Sequence, residues 1–401
     1  MSKPRIPSPG APAQGAHHDR AAKRRRIWVC AALLAVGSLA PSAAATPAQR
    51  GQERDEATSY VPITEAHEAA VNRGLEWLSQ HQLPDGGWKG EVGFKLNSTY
   101  RVTRDGETHV GVTALAGMAF LAGGHLPGRG QYGATLDRCI NFVLSCVQED
   151  GYITHAGTRM YSHAFATLFL AEVYGLTHRE DVRPKLQNAI DFIVKSQNDE
   201  GGWRYVPLAR ESDMSIVVCQ SLALRAARNI GIRVPKSTVD RAIAYVVASA
   251  VTDDPRQQRM RMGYRSDVGT FRYQIEDNSR SNFPLTAAGV TALHGLGIYS
   301  HDLIVKGIDF LNAEMPAFNA NHGERQHYFF WYGHYYGVQA MYSRGGHDWV
   351  NYFTRLREFL LRKQDPDGSW ENPVGPGEAF GTAMAVLILE IPFNFLPIFH
   401  R

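Results

Sequence analysis

The chain has 401 residues, 44% of them hydrophobic, and carries 42 Lys and Arg residues against 39 Asp and Glu residues. Seven basic residues and one acidic residue lie within residues 1–26, so the remainder is slightly acidic and gives no electrostatic support for nucleic-acid binding. Beyond residue 45 there are three cysteines, Cys139, Cys146 and Cys219, whose spacing is typical of small buried side chains and not of a disulfide framework or metal site.

Residues 1–45 have the pattern of an export signal peptide. A basic stretch at residues 23–26 precedes a 14-residue apolar stretch, residues 27–40, and Ala-Ala-Ala at residues 43–45 is typical of a cleavage site. A membrane span needs about 20 apolar residues, so we expect cleavage after Ala45 and no stable membrane span after processing. An uncleaved anchor is the alternative. The predicted organisation is a signal peptide (1–45), a linker (46–64) and a single domain (65–401) of an exported protein.

A seven-residue segment occurs three times, at residues 82–88 (QLPDGGW), 197–203 (QNDEGGW) and 364–370 (QDPDGSW). A shortened copy occupies residues 148–152, and an expanded one ends at residues 269–271. Asp and Gly predict a tight turn, Gln can bridge backbone groups across it, and Trp can pack between neighbouring repeats. We therefore expect these residues to be structural and not catalytic.

The repeats separate two kinds of predicted helix, which gives an all-α fold. Before each turn, apolar residues recur at intervals of three and four, which indicates a helix with one buried face. After each turn comes a more uniformly apolar stretch, typical of a helix buried on all sides. These stretches are residues 110–121, 162–174, 215–227, 285–296, 328–341 and 380–389. Six such pairs predict an α6/α6 toroid. The alternative is an open α-solenoid, which needs polar capping repeats that the apolar last stretch does not supply.

The repeated Q-x-x-D-G-G-W turn between helix pairs resembles the QW repeats of the terpene cyclase and prenyltransferase superfamily, which includes the squalene–hopene cyclases. The resemblance covers residues 65–391. It is strongest to secreted bacterial proteins with a single toroid of prenyltransferase/squalene-oxidase repeats. It implies an α/α toroid with a central cavity lined by the inner helices.

The catalytic motifs of that superfamily are not reproduced. The cyclases protonate an alkene with D-x-D-D-T, and the nearest segment here is Glu211-Ser212-Asp213, at the start of an inner helix. Asp213 and Glu211 are the candidate catalytic residues, and a helix N-cap is the alternative role of Asp213. The prenyltransferases bind zinc through D-x-C and a later His. Asp137-Arg138-Cys139 lies on a predicted outer helix, and His163 alone completes no site, so we expect no metal and no cofactor.

An aromatic segment supplies the candidate substrate-binding residues. They follow helical spacing along the fifth predicted inner helix and are His327, Phe330, Trp331, His334 and Tyr335. Such a face can line a cavity, and dense core packing is the alternative. We predict that Asp213 shares one pocket with at least one of His327, Trp331 and His334.

The sequence leaves two classes of function open. The first is an enzyme, either a cyclase-like protein acting on an apolar or extended small molecule or an exported carbohydrate-active lyase or hydrolase. The second is a binding toroid without catalytic activity. The missing D-x-D-D motif is evidence against a cyclase, and the aromatic helix is compatible with both classes.

Overall fold

The computed structural model describes residues 60–96, 99–253, 268–276, 279–323 and 328–399. These residues all belong to one compact unit, Pro47–Arg401. The predicted signal peptide, its cleavage site and His327 lie outside the described residues.

The described residues form twelve α-helices that alternate between an outer and an inner layer. The outer helices are α1 (Glu65–Gln80), α3 (Gly133–Ser145), α5 (Val182–Ser196), α7 (Lys236–Ala248), α9 (Asp302–Phe318) and α11 (Gly346–Lys363). The inner helices are α2 (Val110–Ala122), α4 (Met160–Thr177), α6 (Met214–Asn229), α8 (Phe283–Gly295), α10 (Tyr328–Arg344) and α12 (Glu378–Glu390). A hairpin of β1 (Val92–Leu96) and β2 (Thr99–Arg104) precedes α2. Every residue of α2 and α8 is buried, as expected for an inner layer.

The inner helices form a closed ring. Each packs against the next in chain order, and α12 packs against α2. The predicted all-α toroid of six helix pairs is therefore confirmed, and the open solenoid is excluded. The ring closes because the last helix pair packs against the first pair as it would against another neighbouring repeat. The apolar surface of α12 is covered by this contact.

The repeated turns connect each helix pair to the next. The Gln82 amide donates to Gly86 O within its turn and to Thr135 O of α3, at 2.8 and 2.9 Å. Gln197 makes the same pair of bonds, to Gly201 O and Thr238 O. The indole N–H groups bond to the preceding outer helix at 2.8–2.9 Å, with Trp88 donating to Leu78 O, Trp203 to Ile193 O and Trp370 to Leu360 O. The structural role predicted for these residues follows from these bonds.

In full and divergent turns alike, a backbone N–H of the turn donates a hydrogen bond to a side chain of the following inner helix. Trp88 N donates to Thr113 Oγ1 of the following inner helix, and Phe271 N donates to Thr286 Oγ1 in the expanded copy. In the shortened copy the acceptor is a histidine, because Ile153 N donates to His163 Nδ1 at 3.1 Å. Burial lowers the pKa of His163 to about 3, so it is a neutral acceptor here. His163 thus has the position and role that a threonine has elsewhere.

Aromatic side chains meet across the axis of the ring between α4, α6 and α10. The rings of Tyr335 on α10 and Phe165 on the opposite helix α4 have centroids 6.1 Å apart. The Tyr336 hydroxyl lies 3.0 Å from Cys219 Sγ of α6. This part of the axis, where the sequence predicted a cavity, is occupied by side chains. Within the ring, ligand sites are therefore to be sought at its two ends.

Candidate functional site

The inner helices begin at one end of the toroid, which we call the N-terminal mouth. Neighbouring starts are connected by backbone hydrogen bonds, with Met160 N donating to Tyr205 O and Met214 N donating to Tyr273 O. The loop before α12 meets the loop before α2 through Glu91 N and Pro376 O, at 2.9 Å. The loops before α4, α6 and α8 are thus linked in series, and so are the loops before α12 and α2.

Asp213 lies at this mouth as the N-cap of α6. Its Oδ1 accepts hydrogen bonds from Ile216 N, at 3.2 Å, and from the Ser215 hydroxyl. Its Oδ2 is buried and has no hydrogen-bond partner among the described residues, and the side chain has no exposed surface. Burial raises the pKa of Asp213 to about 6, against the opposing effect of the bond from Ser215. One oxygen therefore caps the helix, and the other is buried without a hydrogen-bond partner among the described residues.

Four half-buried tyrosines lie close enough to Asp213 that, in addition to burial, its charge raises the pKa of each. They are Tyr161 of α4, Tyr332 of α10, and Tyr205 and Tyr273 of the loops before α6 and α8. The Tyr161 ring centroid lies 5.9 Å from that of Tyr205 and 6.4 Å from that of Tyr332. The charge of Asp213 and burial together raise the pKa of Tyr205 and of Tyr273. We call Asp213 and these four residues the tyrosine cage.

Three of the four tyrosine hydroxyls form hydrogen bonds to each other or to the backbone. Those of Tyr205 and Tyr273 lie 2.7 Å apart, and that of Tyr332 donates to Ser215 O at 3.3 Å. Of the cage only Asp213 was selected from the sequence. Tyr205 could have been noticed two residues after the repeated Trp203. The neighbourhood of Tyr273 depends on the expanded fourth turn and has no sequence signal.

Glu211, the second predicted acid, lies in a different environment from Asp213. Its side chain is 63% exposed and forms an ion pair with Arg204. The two predicted acids are therefore close in sequence, but one is dry and the other is solvated at the rim.

The aromatic helix α10 presents its predicted residues to two sides. His334 contacts the Tyr352 hydroxyl of α11 at 2.9 Å and Asn319 Oδ1 at 2.7 Å, and Phe330 packs on Phe359 of α11. These contacts lie on the outer side of α10, while Tyr335 faces the axis. Trp331 has no exposed surface. The structure thus groups Tyr332, one residue after Trp331, with Asp213. A step of about 100° per residue moves neighbouring positions to different faces.

The opposite end of the toroid is closed by residues 391–399. This segment runs from the end of α12 to α6 and buries Leu396, Ile398 and Phe399. Beneath it lies a cavity of about 10 Å³, about the room that one water needs. Burial raises the pKa of Glu172 here to about 8. On the outer wall, a groove of about 270 Å³ separates α9 from α11. The N-terminal mouth is therefore where a buried acid and half-exposed aromatic rings occur together.

Two further properties concern metals and membranes. The described part of the chain contains no cluster of three or more His, Cys, Asp or Glu side chains that could hold a metal ion. Cys139, Cys146 and Cys219 are buried and unbonded to one another. Within the same residues no helix combines the length and apolarity of a membrane span.

Comparison with known families gives one match, to the model of the prenyltransferase alpha-alpha toroid domain, over residues 57–391. The chain belongs to this family. None of the curated protein sequences compared with it matches.

Solved structures with similar folds include several enzymes that act on carbohydrates. An α-1,6-mannanase of Salegentibacter sp., in complex with mannotriose, has a TM-score of 0.56 and 9% identity over 81% of this chain and 98% of its own. Cellobiose 2-epimerase from Bacillus thermoamylovorans has a TM-score of 0.51 and 13% identity, over 80% of this chain and 99% of its own. An unsaturated glucuronyl hydrolase specific for heparin has a TM-score of 0.51 and 12% identity, over 81% of this chain and 95% of its own. At these identities the likeness is one of fold.

Proposed function

We propose that this toroid binds an extended carbohydrate at its N-terminal mouth and that Asp213 is the proton-transfer group there. The observation that carries the proposal is the buried, unpaired Oδ2 of Asp213, with four half-buried tyrosines near it. A carboxyl group with a pKa of about 6 can give and take a proton near neutral pH, as general acid–base catalysis needs.

The class of ligand follows from the shape of the ring interior. Because Tyr335, Tyr336 and Phe165 occupy the axis, a long apolar chain has no enclosed space there. A ligand lying across the mouth meets tyrosine rings, whose faces pack on sugar rings, and hydroxyl groups that can bond to sugar hydroxyls. The sugar-active neighbours of similar fold support the same choice. Export of the protein stays a prediction from residues 1–45.

A binding experiment tests the site. Purified protein is titrated with manno-, cello- and uronate-containing oligosaccharides by calorimetry, with Tyr332→Ala as the variant and Tyr299→Ala as the matched control. Tyr299 is 57% exposed and belongs to the turn after α8, at the far end of that helix. We expect Tyr332→Ala to weaken binding about tenfold, since a desolvated aromatic contact contributes about 1–1.5 kcal/mol, while Tyr299→Ala binds normally.

A second candidate, protonation of an isoprenoid alkene, is favoured by one observation, the dry acid among aromatic rings. The same protein is therefore incubated with squalene in detergent, and products are analysed by mass spectrometry. For whichever substrate is turned over, Asp213→Asn should lower kcat by about 100-fold or more. Conversion of squalene by a protein that binds none of the oligosaccharides would replace the carbohydrate proposal with the second candidate.

A further inference from the structure

Two tyrosines of the cage, from different loops, meet through their hydroxyl groups. The hydroxyl groups of Tyr205 and Tyr273 lie 2.7 Å apart, and each residue belongs to a different loop. Their backbone carbonyls are held by Met160 N and Met214 N, at 3.1 and 2.9 Å. The backbones of these two residues are therefore anchored, and their side chains are joined through one hydrogen bond.

The carboxylate inside the cage lacks a positive partner of its own. The nearest cation that lowers the pKa of Asp213 is Arg204, whose guanidinium is already paired with Glu211. The hydroxyls of Tyr205 and Tyr273 bond to each other and that of Tyr332 bonds to Ser215 O, so none of these three hydrogen bonds uses Oδ2. One of these rings already binds a cation on its outer side, where the Arg280 guanidinium lies 4.2 Å from the Tyr273 centroid.

We propose that the tyrosine cage binds an ammonium group of the ligand, either a quaternary amine or the protonated amine of an amino sugar. A buried carboxylate supplies the charge, and ring faces within about 6 Å supply cation–π attraction, as in aromatic cages for quaternary ammonium ligands. The N-terminus of α6 is satisfied by Oδ1 of Asp213, which leaves Oδ2 for the cation. This inference rests on the proposed function in one respect, that the mouth is the ligand site; towards an ammonium group Asp213 acts as a counter-ion and not as the proton-transfer group.

The test uses choline and its neutral isostere 3,3-dimethylbutan-1-ol, which differ in charge and hardly in shape. Both are titrated into wild-type protein, Asp213→Asn and Tyr205→Ala, with Asp240→Asn as a control at an exposed acid paired with Lys236. Choline should bind at least about tenfold more tightly than the isostere. Asp213→Asn should remove that preference while keeping the helix cap, Tyr205→Ala should weaken choline binding by removing one ring, and Asp240→Asn should behave as wild type.

The pH dependence supplies a second readout. The titratable and charged groups whose electrostatic effects connect them to Asp213 are Arg204, Tyr205, Tyr161, Tyr245, Tyr273, Tyr332 and Cys219. Burial raises the pKa of the tyrosines and of Cys219, so these groups stay neutral between pH 5 and 8. Choline has a permanent charge. Its affinity should therefore rise as the pH passes upward through about 6, where Asp213 ionises, and Asp213→Asn should abolish the rise.

Each outcome decides the inference. Equal affinity of the wild-type protein for choline and its isostere, or no choline binding by the wild-type protein, would overturn it. Oligosaccharide binding at the mouth without choline binding would leave the proposed function standing and the ammonium site refuted. Choline binding that depends on Asp213, in a protein that binds no oligosaccharide, would establish the ammonium site and refute the carbohydrate.

Discussion

The side-chain amide of Gln364 donates a hydrogen bond to the backbone carbonyl of Ala70, 2.9 Å away and 294 residues earlier in the chain. The same amide donates to Gly368 O, and the Arg73 guanidinium donates to its oxygen. Gln82 and Gln197 make the equivalent bonds to Thr135 and Thr238, each in the following helix pair. The bond that closes the ring, from the Gln364 amide to the first helix pair, is therefore the same bond that the other two full repeats make to the pair that follows them.

Closure predicts that the last repeat is as important for stability as an internal one. Trp370→Ala and Trp203→Ala should each lower the free energy of unfolding by about 3–5 kcal/mol, because both remove a fully buried indole. Denaturant titration followed by circular dichroism measures both. A much smaller loss for Trp370→Ala would indicate a frayed end and an open solenoid.

We predict that some turn glycines are required for two reasons: their φ is positive, and a Cβ there would clash with the backbone of a neighbouring helix. Gly368 and Gly231 both have positive φ, +100° and +78°. A Cβ on Gly368 would lie 2.6 Å from Arg73 O, whereas one on Gly231 would meet nothing within 4 Å. Gly231→Ala should cost about 1–2 kcal/mol from φ alone, and Gly368→Ala about 1–3 kcal/mol more. Equal losses in thermal unfolding would show that the Arg73 carbonyl moves away freely.

Asp213 should make the protein less stable as the pH rises. Its pKa is raised from 3.8 to about 6, so the folded state holds its proton more tightly than the unfolded state between these values. Stability should therefore fall by up to about 1.4 kcal/mol per pH unit from pH 4 to pH 6 and then level off. Asp213→Asn caps the helix about as well and should remove this fall. Urea titrations at pH 4, 5, 6 and 7.5 measure it, and an unchanged pH profile in Asp213→Asn would contradict the assignment.

Glu172 should act in the same direction over a higher pH range. Burial beneath residues 391–399 raises its pKa from 4.5 to about 8, so the fall in stability should continue to about pH 8. Glu172→Gln, with nearly the same shape, should be more stable than wild type at pH 8.5 and about equal at pH 4. Thermal unfolding at the two pH values checks this. A variant less stable at both would show that the carboxylate has a favourable ionic partner.

The fold could be predicted from the sequence because it depends on a turn motif and on apolar spacings that recur along the chain. A turn such as residues 197–203 makes its bonds within one turn and one neighbouring helix, so three copies were enough to predict six helix pairs. The stretch 380–389, apolar on all sides, indicated an inner position, and only a closed ring buries it. Asp213 was also identifiable, because a polar side chain before an apolar helix has few possible roles.

Only the tertiary structure decided what surrounds that acid. Tyr332 contacts Ser215 although 117 residues separate them, and Tyr205 meets Tyr273 across two loops of different repeats. Helical spacing predicted that α10 has an aromatic face, but which face points to the axis depends on the rotation of the helix against α8 and α12. A rotation of about 100° separates a stripe through Trp331 and His334 from one through Tyr332 and Tyr336. The sequence by itself therefore determined the ring and the acid, and helix packing decided which aromatic side chains enclose the acid.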